Sequence, residues 1–283
     1  MTVHNFIKVL KEILVLLTAL AFGFVSAIAG IGGGSLLVPT LIVFYGVDVK
    51  TAIPIGVAVA VATSLAATRV YLEKGVVNVK LGLLLEIPST AGAVLGSIIY
   101  QVIEVKILKL IMGFVFPVIA IYMLLSSRLK HRSREEDSIA RKLELSGEYY
   151  DESLGKKVKY KVSHSPLLIA GSFLAGTLSA LLGIGGGVIK MPLMCIVGGI
   201  PIKAATATSS FMVGITAATS ALVYFKEGFM EPSLTSIVII GFILGATMGA
   251  KTQVKVKSLW IRLIFAGILL YASIRLILSS IGV

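Results

Sequence analysis

The chain has 283 residues, 57% of them hydrophobic and only 14% charged, and a formal charge of +12. Soluble domains run near a quarter charged, so this composition excludes an ordinary soluble protein. The surplus Lys and Arg lies between apolar runs, where membrane topology accounts for it, so no nucleic-acid partner is expected.

A helix crossing the hydrocarbon needs about 20 apolar residues. Eight stretches come close, roughly 10–30, 52–71, 81–103, 107–127, 166–186, 204–225, 233–250 and 259–280. The first resembles a signal peptide, with Lys8 and Lys11, an apolar run and then Ser26-Ala27-Ile28-Ala29-Gly30. The same pattern recurs in mid-chain, where no signal peptide belongs, so the segment is read as helix 1. It should break at Gly32–Gly34, since each glycine weakens a helix by about 1 kcal/mol relative to alanine, and Pro39 removes a further donor. The segment after the break, Ser35–Tyr45, is too short to span and reads as a re-entrant half-helix. The N–H groups at its start would favour an anion. Close packing of helices through Gly30 and Gly34 is the alternative reading.

In the second and third runs Thr63, Ser64 and Glu86 are the candidates for chemistry. Glu86 is the only acid deep in an apolar run and so a candidate for the coupling proton. Snorkelling, or a pair with Lys190 or Arg69, is the alternative. Gly92-x-x-x-Gly96 reads as a helix-packing site.

Residues 128–165 carry ten Lys/Arg against seven Asp/Glu and cannot lie in hydrocarbon. They divide the chain into a first transmembrane region (1–127), a polar cytoplasmic linker (128–165) and a second transmembrane region (166–283). Lys156-Lys157-Val158-Lys159-Tyr160-Lys161 could also attract anionic lipid headgroups.

In the fifth run Gly185–Gly187, followed by Pro192, should break helix 5, with Val188–Val197 as its half-helix. Lys190 lies three residues past the break and is either an anion contact or a snorkelling or paired cation. Thr208, Ser209 and Ser210 offer hydroxyls, which donate to an oxyanion without adding charge. Bonding within or between helices is the alternative. Cys195, the single cysteine, excludes an intrachain disulfide and the usual cysteine-based zinc sites, and reads as a buried filler. His4, His131 and His164 lie outside the spans, so no histidine relay is expected. No metal or cofactor is expected, and no pattern resembles a nucleotide-binding loop.

Sliding the sequence by 153 residues aligns it with itself without a gap from Gly23 to Ser127, with about a quarter of positions identical. Gly30–Gly34 falls on Gly183–Gly187, Pro39 on Pro192, Lys50 and Ala52 on Lys203 and Ala205, Tyr71 on Tyr224, and Gly92 and Gly96 on Gly245 and Gly249. The fold expected is an all-α polytopic membrane protein. It has about eight transmembrane helices in two homologous four-helix repeats, with helices 1 and 5 broken at the two GIGGG runs. Paired broken helices at matching places are the best sequence pointer to a transporter's binding site. With eight full crossings, Lys and Arg favour the side of the N-terminus and linker about two to one, which puts both termini in the cytoplasm. Lys251, Lys255, Lys257 and Arg262 then fall outside. If helix 1 and its counterpart turn back instead of crossing, the repeats invert.

The doubled G-I-G-G-G-x-x-x-x-P, each copy followed by Lys-x-Ala, a Tyr and a Gly, resembles the TauE/SafE family of sulfite and sulfonate transporters. The likeness covers both halves and leaves out only the linker. It implies carriage of small sulfur-containing or organic anions across the cytoplasmic membrane, often outward. The family tends to show a Thr-Ser pair after Lys-x-Ala, and only the second half keeps it. The expectation is a secondary transporter, not an enzyme. Its anion would bind between the halves at Gly32, Gly33, Gly34, Ser35, Gly185, Gly186, Gly187, Lys190, Thr208, Ser209, Ser210, Thr63 and Ser64, with Glu86 coupling a proton. An intramembrane enzyme or a non-transporting scaffold is the alternative, but an enzyme would need clustered ionisable groups that the spans lack.

Overall fold

The computed structural model describes residues 3–29, 34–125, 135–151, 155–252 and 258–281. It is mostly helical: α1 Val3–Ala29, α2 Gly34–Tyr45, α3 Val49–Glu73, α4 Val79–Val102, α5 Val105–Leu125, α6 Ser138–Lys142, α7 Ser165–Leu182, α8 Gly187–Pro192, α9 Ile202–Lys226, α10 Pro232–Thr252 and α11 Ser258–Ile281. A π-helical turn, Leu193–Val197, continues α8. Six helices among the described residues, α3, α4, α5, α7, α9 and α11, are long and apolar enough to cross a membrane. The chain is therefore a multi-pass membrane protein.

Local chemistry fixes several ends. The Asp48 carboxylate accepts from Lys50 N at 2.8 Å and starts α3, and Asn78 Oδ1 accepts from Leu81 N at 3.0 Å and starts α4. α7 ends at Gly183, whose φ of 70° is left-handed and costs glycine little. Gly185 and Gly186 are left-handed too, and α8 starts at Gly187. The half-helix expected over 188–197 is six α residues and then the π turn. Gly32 and Gly33 lie outside the described residues, between the end of α1 and the start of α2.

Hydrogen bonds reveal the direction of each segment. Tyr45 OH donates to Leu14 O at 3.1 Å, so α2 runs back along α1. Ser163 N donates to Gly198 O at 3.1 Å, so α8 and the π turn return to the end at which α7 began. Asn78, at the start of α4, donates to Leu145 O and Tyr160 OH of the 135–165 segment, at 2.7 and 3.0 Å. α9 also begins at this end, where Lys203 pairs with Asp151 at 2.6 Å. It finishes at the other end, with the Tyr224 ring 4.7 Å from that of Tyr100. α10 then runs back. α1 lies beside α10 in the same direction: a methyl built on Gly241 would stand 2.7 Å from Leu16 O, and one on Gly245 1.9 Å from Leu20 O. The start of α1 and the 135–165 segment therefore occupy opposite ends of the bundle. This corrects the sequence expectation that they share a side, which assumed that both broken helices cross.

The glycine pairs act as packing sites. Methyls built on Gly92 and Gly96 would stand 2.1 and 2.5 Å from Phe173 O and Thr177 O of α7. Gly245, 153 residues after Gly92, meets Leu20, 153 residues before Phe173. α5 and α11 pack together, Ser273 Oγ donating to Gly113 O.

The polar segment is folded, a difference from the plain linker expected. After α6, strands β1 Gly147–Asp151 and β2 Lys156–Tyr160 form an antiparallel hairpin with Tyr149 opposite Val158. Leu145, Tyr149, Tyr160 and Val162 bury against Leu81, Leu85, Met194 and Ala204, which ties the segment to α4, the π turn and α9. Asp137 caps two helices, accepting from Ala140 N at 2.8 Å and Ser165 N at 2.6 Å. Burial pushes its carboxyl up, but the hydrogen bonds from Ser165, Ala140 and Ile139 outweigh this and hold it below the usual carboxylate range.

Candidate functional site

The two glycine breaks approach each other against α3. A methyl built on Gly34 would stand 2.9 Å from Gly56 O and 3.2 Å from Gly183 O, and one on Gly56 2.4 Å from Gly183 O. Backbone here touches backbone, so Gly34 serves close packing. A methyl on Gly185 would meet the Ala60 methyl at 2.6 Å, and Gly186 sits 3.0 Å from Ser179 by the same measure. Gly187 is the roomier position, its nearest neighbour being Val213 Cγ2 at 3.1 Å. Ser35 is buried one residue into α2.

One turn past Gly187, Lys190 is only 1% exposed. Its Nζ lies 3.2 Å from Glu86 Oε2 and donates to Thr216 Oγ1 at 2.5 Å. Thr216 Oγ1 in turn lies 2.5 Å from Glu86 Oε1 and 3.2 Å from Met212 O. Thr90 Oγ1 donates to Glu86 Oε1 at 3.0 Å, and Ser89 Oγ lies 3.1 Å from Thr216 Oγ1. Glu86 is 4% exposed. The result is a closed cluster of one cation, one anion and three hydroxyls, drawn from α4, α8 and α9. α4 belongs to the first half of the chain, and α8 and α9 belong to the second. Isolated charges this deep would be prohibitive, and pairing with hydrogen-bonded partners is what makes them tenable.

Of the readings open for Lys190 and Glu86, the structure has the ion pair. It does not bring the other hydroxyls to them. Thr208 Oγ1 accepts from Asn78 N at 3.0 Å, where α4 begins. It lies eight residues, about 12 Å along α9, from Thr216. Ser209 and Ser210 both donate to Thr206 O, at 3.0 and 2.9 Å, Thr63 donates to Ala60 O at 3.2 Å, and Ser64 donates to Ser210 O. These are bonds within helices or between α3 and α9, the alternative reading of such residues in a membrane. Arg69 pairs with the exposed Glu73 at 3.1 Å, away from Glu86.

Ser89 and Thr90 were missed from sequence, although their spacing from Glu86 gave a signal. Residues three and four apart share a helix face, so both hydroxyls flank the carboxylate. Thr216 stands 153 residues after Thr63 and matches it across the repeat, which by itself gives it no partner. Its place between the two charges depends on how α4 and α9 lie together. Among the described residues no three His, Cys, Asp or Glu side chains come together to hold a metal ion.

This arrangement is an intramembrane ion pair at a helix break, and charged side chains are costly and rare in such a place. The chain is similar to known proteins along nearly its whole length. Residues 15–276 match the model of the family described as sulfite exporter TauE/SafE. A probable membrane transporter protein, YunE, of Bacillus subtilis is 26% identical over 95% of this chain and 98% of its own. A second probable membrane transporter protein, MJ0441 of Methanocaldococcus jannaschii, is 26% identical over 90% of this chain and 91% of its own. Sulfite exporter TauE/SafE family protein 6 of Arabidopsis thaliana is 31% identical over 40% of this chain and 27% of its own. No solved structure matches the chain. With the doubled glycine motif and the family model covering both halves, this chain belongs to the sulfite exporter TauE/SafE family of membrane transporters.

Proposed function

We propose that the protein is a secondary carrier of small sulfur-containing or organic anions across the cytoplasmic membrane, acting as an exporter. The observation that carries this reading is Lys190, a fully buried cation one turn past a helix break. Its ammonium has three hydrogens, and among the described residues only Glu86 and Thr216 lie within reach to accept them. The remaining N–H is offered to an anion entering beside Gly187, the roomiest position of the break. Gly32, Gly33 and Ser35 would contribute from the other half, and Thr63, Ser64 and Thr208–Ser210 would line the approach along α3 and α9. Proteoliposomes containing the protein should accumulate at least one of sulfite, thiosulfate, a sulfonate or a small carboxylate, and should lose that uptake in Lys190→Met. Uptake of none of these above empty liposomes would sink the carrier reading.

We further infer that the eight long membrane helices form two four-helix repeats that are inverted. α1 with α2, and α7 with α8, each enter and return, so the repeats start from opposite ends. Two observations support this. Contacts such as Gly92 with Phe173 and Gly245 with Leu20 exchange under the 153-residue shift. In addition, α10 ends and α11 begins at the end of the bundle that carries the folded linker. Only Lys8, Lys11, Lys50, Lys106, Lys109 and Lys226 then remain at the other end, about three to one in favour of a cytoplasmic linker. In a variant with Cys195 replaced, cysteine at Glu227, after α9, should react quickly with an impermeant thiol reagent added to intact cells, and cysteine at Ser138 should not. Protection of position 227 would rule out the inverted arrangement, because eight full crossings put it in the cytoplasm.

A further inference from the structure

We propose that Glu86 is the site of proton coupling, taking up one proton for each monovalent anion bound at Lys190. The inference rests on the anion-carrier reading above and specifies the ion that travels with the anion, the outward flow being driven by the gradient of the anion itself. The argument is one of charge. With the site empty, the Glu86 carboxylate and the Lys190 ammonium cancel, and both are sealed from solvent. An anion added to that neutral pair would leave one uncompensated negative charge in the membrane interior, where it is costly. A proton on Glu86 restores neutrality, so the loaded site holds a neutral acid beside an ammonium–anion pair. Loading and unloading then move no net charge through the interior.

The surrounding hydrogen bonds accommodate both states. In the empty state Thr216 donates to Glu86 Oε1 and accepts from Lys190. When Glu86 carries the proton, its new O–H needs an acceptor. Thr216 supplies one by turning its own hydrogen to Met212 O, already 3.2 Å away, without moving its oxygen. Thr90 and Ser89 keep the carboxyl and the threonine in register. The proton comes from water on the side of loading and returns to water on the side of release. No covalent bond between heavy atoms forms or breaks.

Other groups do not compete for this proton. α7, packed on α4, carries no ionisable side chain between Ser165 and Leu182. The two lysines of α9, Lys203 and Lys226, stand at its ends, Lys203 paired with Asp151. α3 has Lys50, Arg69 and Glu73 near its ends, and α8 contributes Lys190 alone. Tyr122 of α5 and Cys195 of the π turn both face Met191. Lys190 is thus the one charged group facing Glu86 among the described residues.

The test uses methanesulfonate, a monovalent anion that stays ionised throughout the range measured. For the purified full-length protein, affinity should fall roughly tenfold per pH unit wherever the empty site holds Glu86 ionised and the loaded site holds it protonated. In weak buffer, about one proton should disappear from solution per methanesulfonate bound. Glu86→Gln, a standing mimic of the protonated acid, should bind with no pH dependence and no proton uptake. If the wild type binds methanesulfonate with the same affinity from about pH 5.5 to 8.5 and without proton uptake, the coupling is overturned and the carrier stands. A pH slope that survives in Glu86→Gln also overturns it, because the proton then goes elsewhere. Failure of methanesulfonate to bind at any pH would overturn the sulfonate-carrier reading itself, and this inference with it.

Discussion

Lys190→Met should destabilise the protein by about 3–5 kcal/mol, the cost of stranding one member of a buried ion pair. Methionine keeps the length and most of the volume of lysine, so packing in α8 changes little. What remains is Glu86, 4% exposed, with hydroxyl donors but no cation. At about 2–4 °C per kcal/mol, the melting temperature in detergent should drop by roughly 10 °C. The double variant Lys190→Met with Glu86→Gln should recover most of the stability and no anion binding. This separates the two roles of Lys190: stability follows the balance of the pair, and binding follows the ammonium alone. A melting temperature unchanged in the single variant would mean that the pair contributes nothing to the fold.

The second large effect concerns close packing. At Gly92 even a methyl would stand 2.1 Å from Phe173 O, and that oxygen belongs to a helix backbone that cannot step aside. Gly92→Leu should therefore push α4 and α7 apart at their crossing. Overpacking of this kind costs about 1–3 kcal/mol and more where backbone must shift. The expected readout is little or no monodisperse protein on size-exclusion chromatography. Because Glu86 and Ser89 lie on the same helix, partial survival should also lower anion affinity. Gly267→Ala in α11 is the matched control: nothing lies within 4 Å of the added methyl. It should raise the melting temperature slightly, since alanine is favoured over glycine within a helix by about 1 kcal/mol. If Gly92→Leu behaves like Gly267→Ala, the close approach of α4 and α7 is wrong.

Much of this molecule is written locally. An apolar run of about 20 residues is its own instruction to form a spanning helix, because unsatisfied backbone groups cannot survive in hydrocarbon. The runs expected over 52–71, 204–225, 233–250 and 259–280 accordingly lie within α3, α9, α10 and α11. Those over 10–30, 81–103 and 107–127 pass the ends of α1, α4 and α5 by no more than two residues, and that over 166–186 outlasts α7, which stops at Leu182. The glycines at 183, 185 and 186 carry their meaning locally too, since left-handed backbone is cheap for glycine and ends α7 there. The family signature is equally local, a motif and its spacing. The polar segment was legible only as polar. Its hairpin packs Tyr149 and Tyr160 onto α4 and α9, and no pattern within the segment names that surface.

The sequence by itself determined the membrane class, the helices, the internal duplication and the family. All of these follow from composition and from neighbours a few residues apart. Only the tertiary structure decided that Lys190 faces Glu86 across 104 residues of chain, with Thr216 between them. Only it decided that the start of α1 and the folded linker stand at opposite ends. The physical reason is the same for both. Lysine, glutamate and threonine satisfy their charges and protons with whatever partner the helix packing brings within about 3 Å, and that packing is set by glycine contacts between distant helices, such as Gly92 on Phe173 and Gly245 on Leu20.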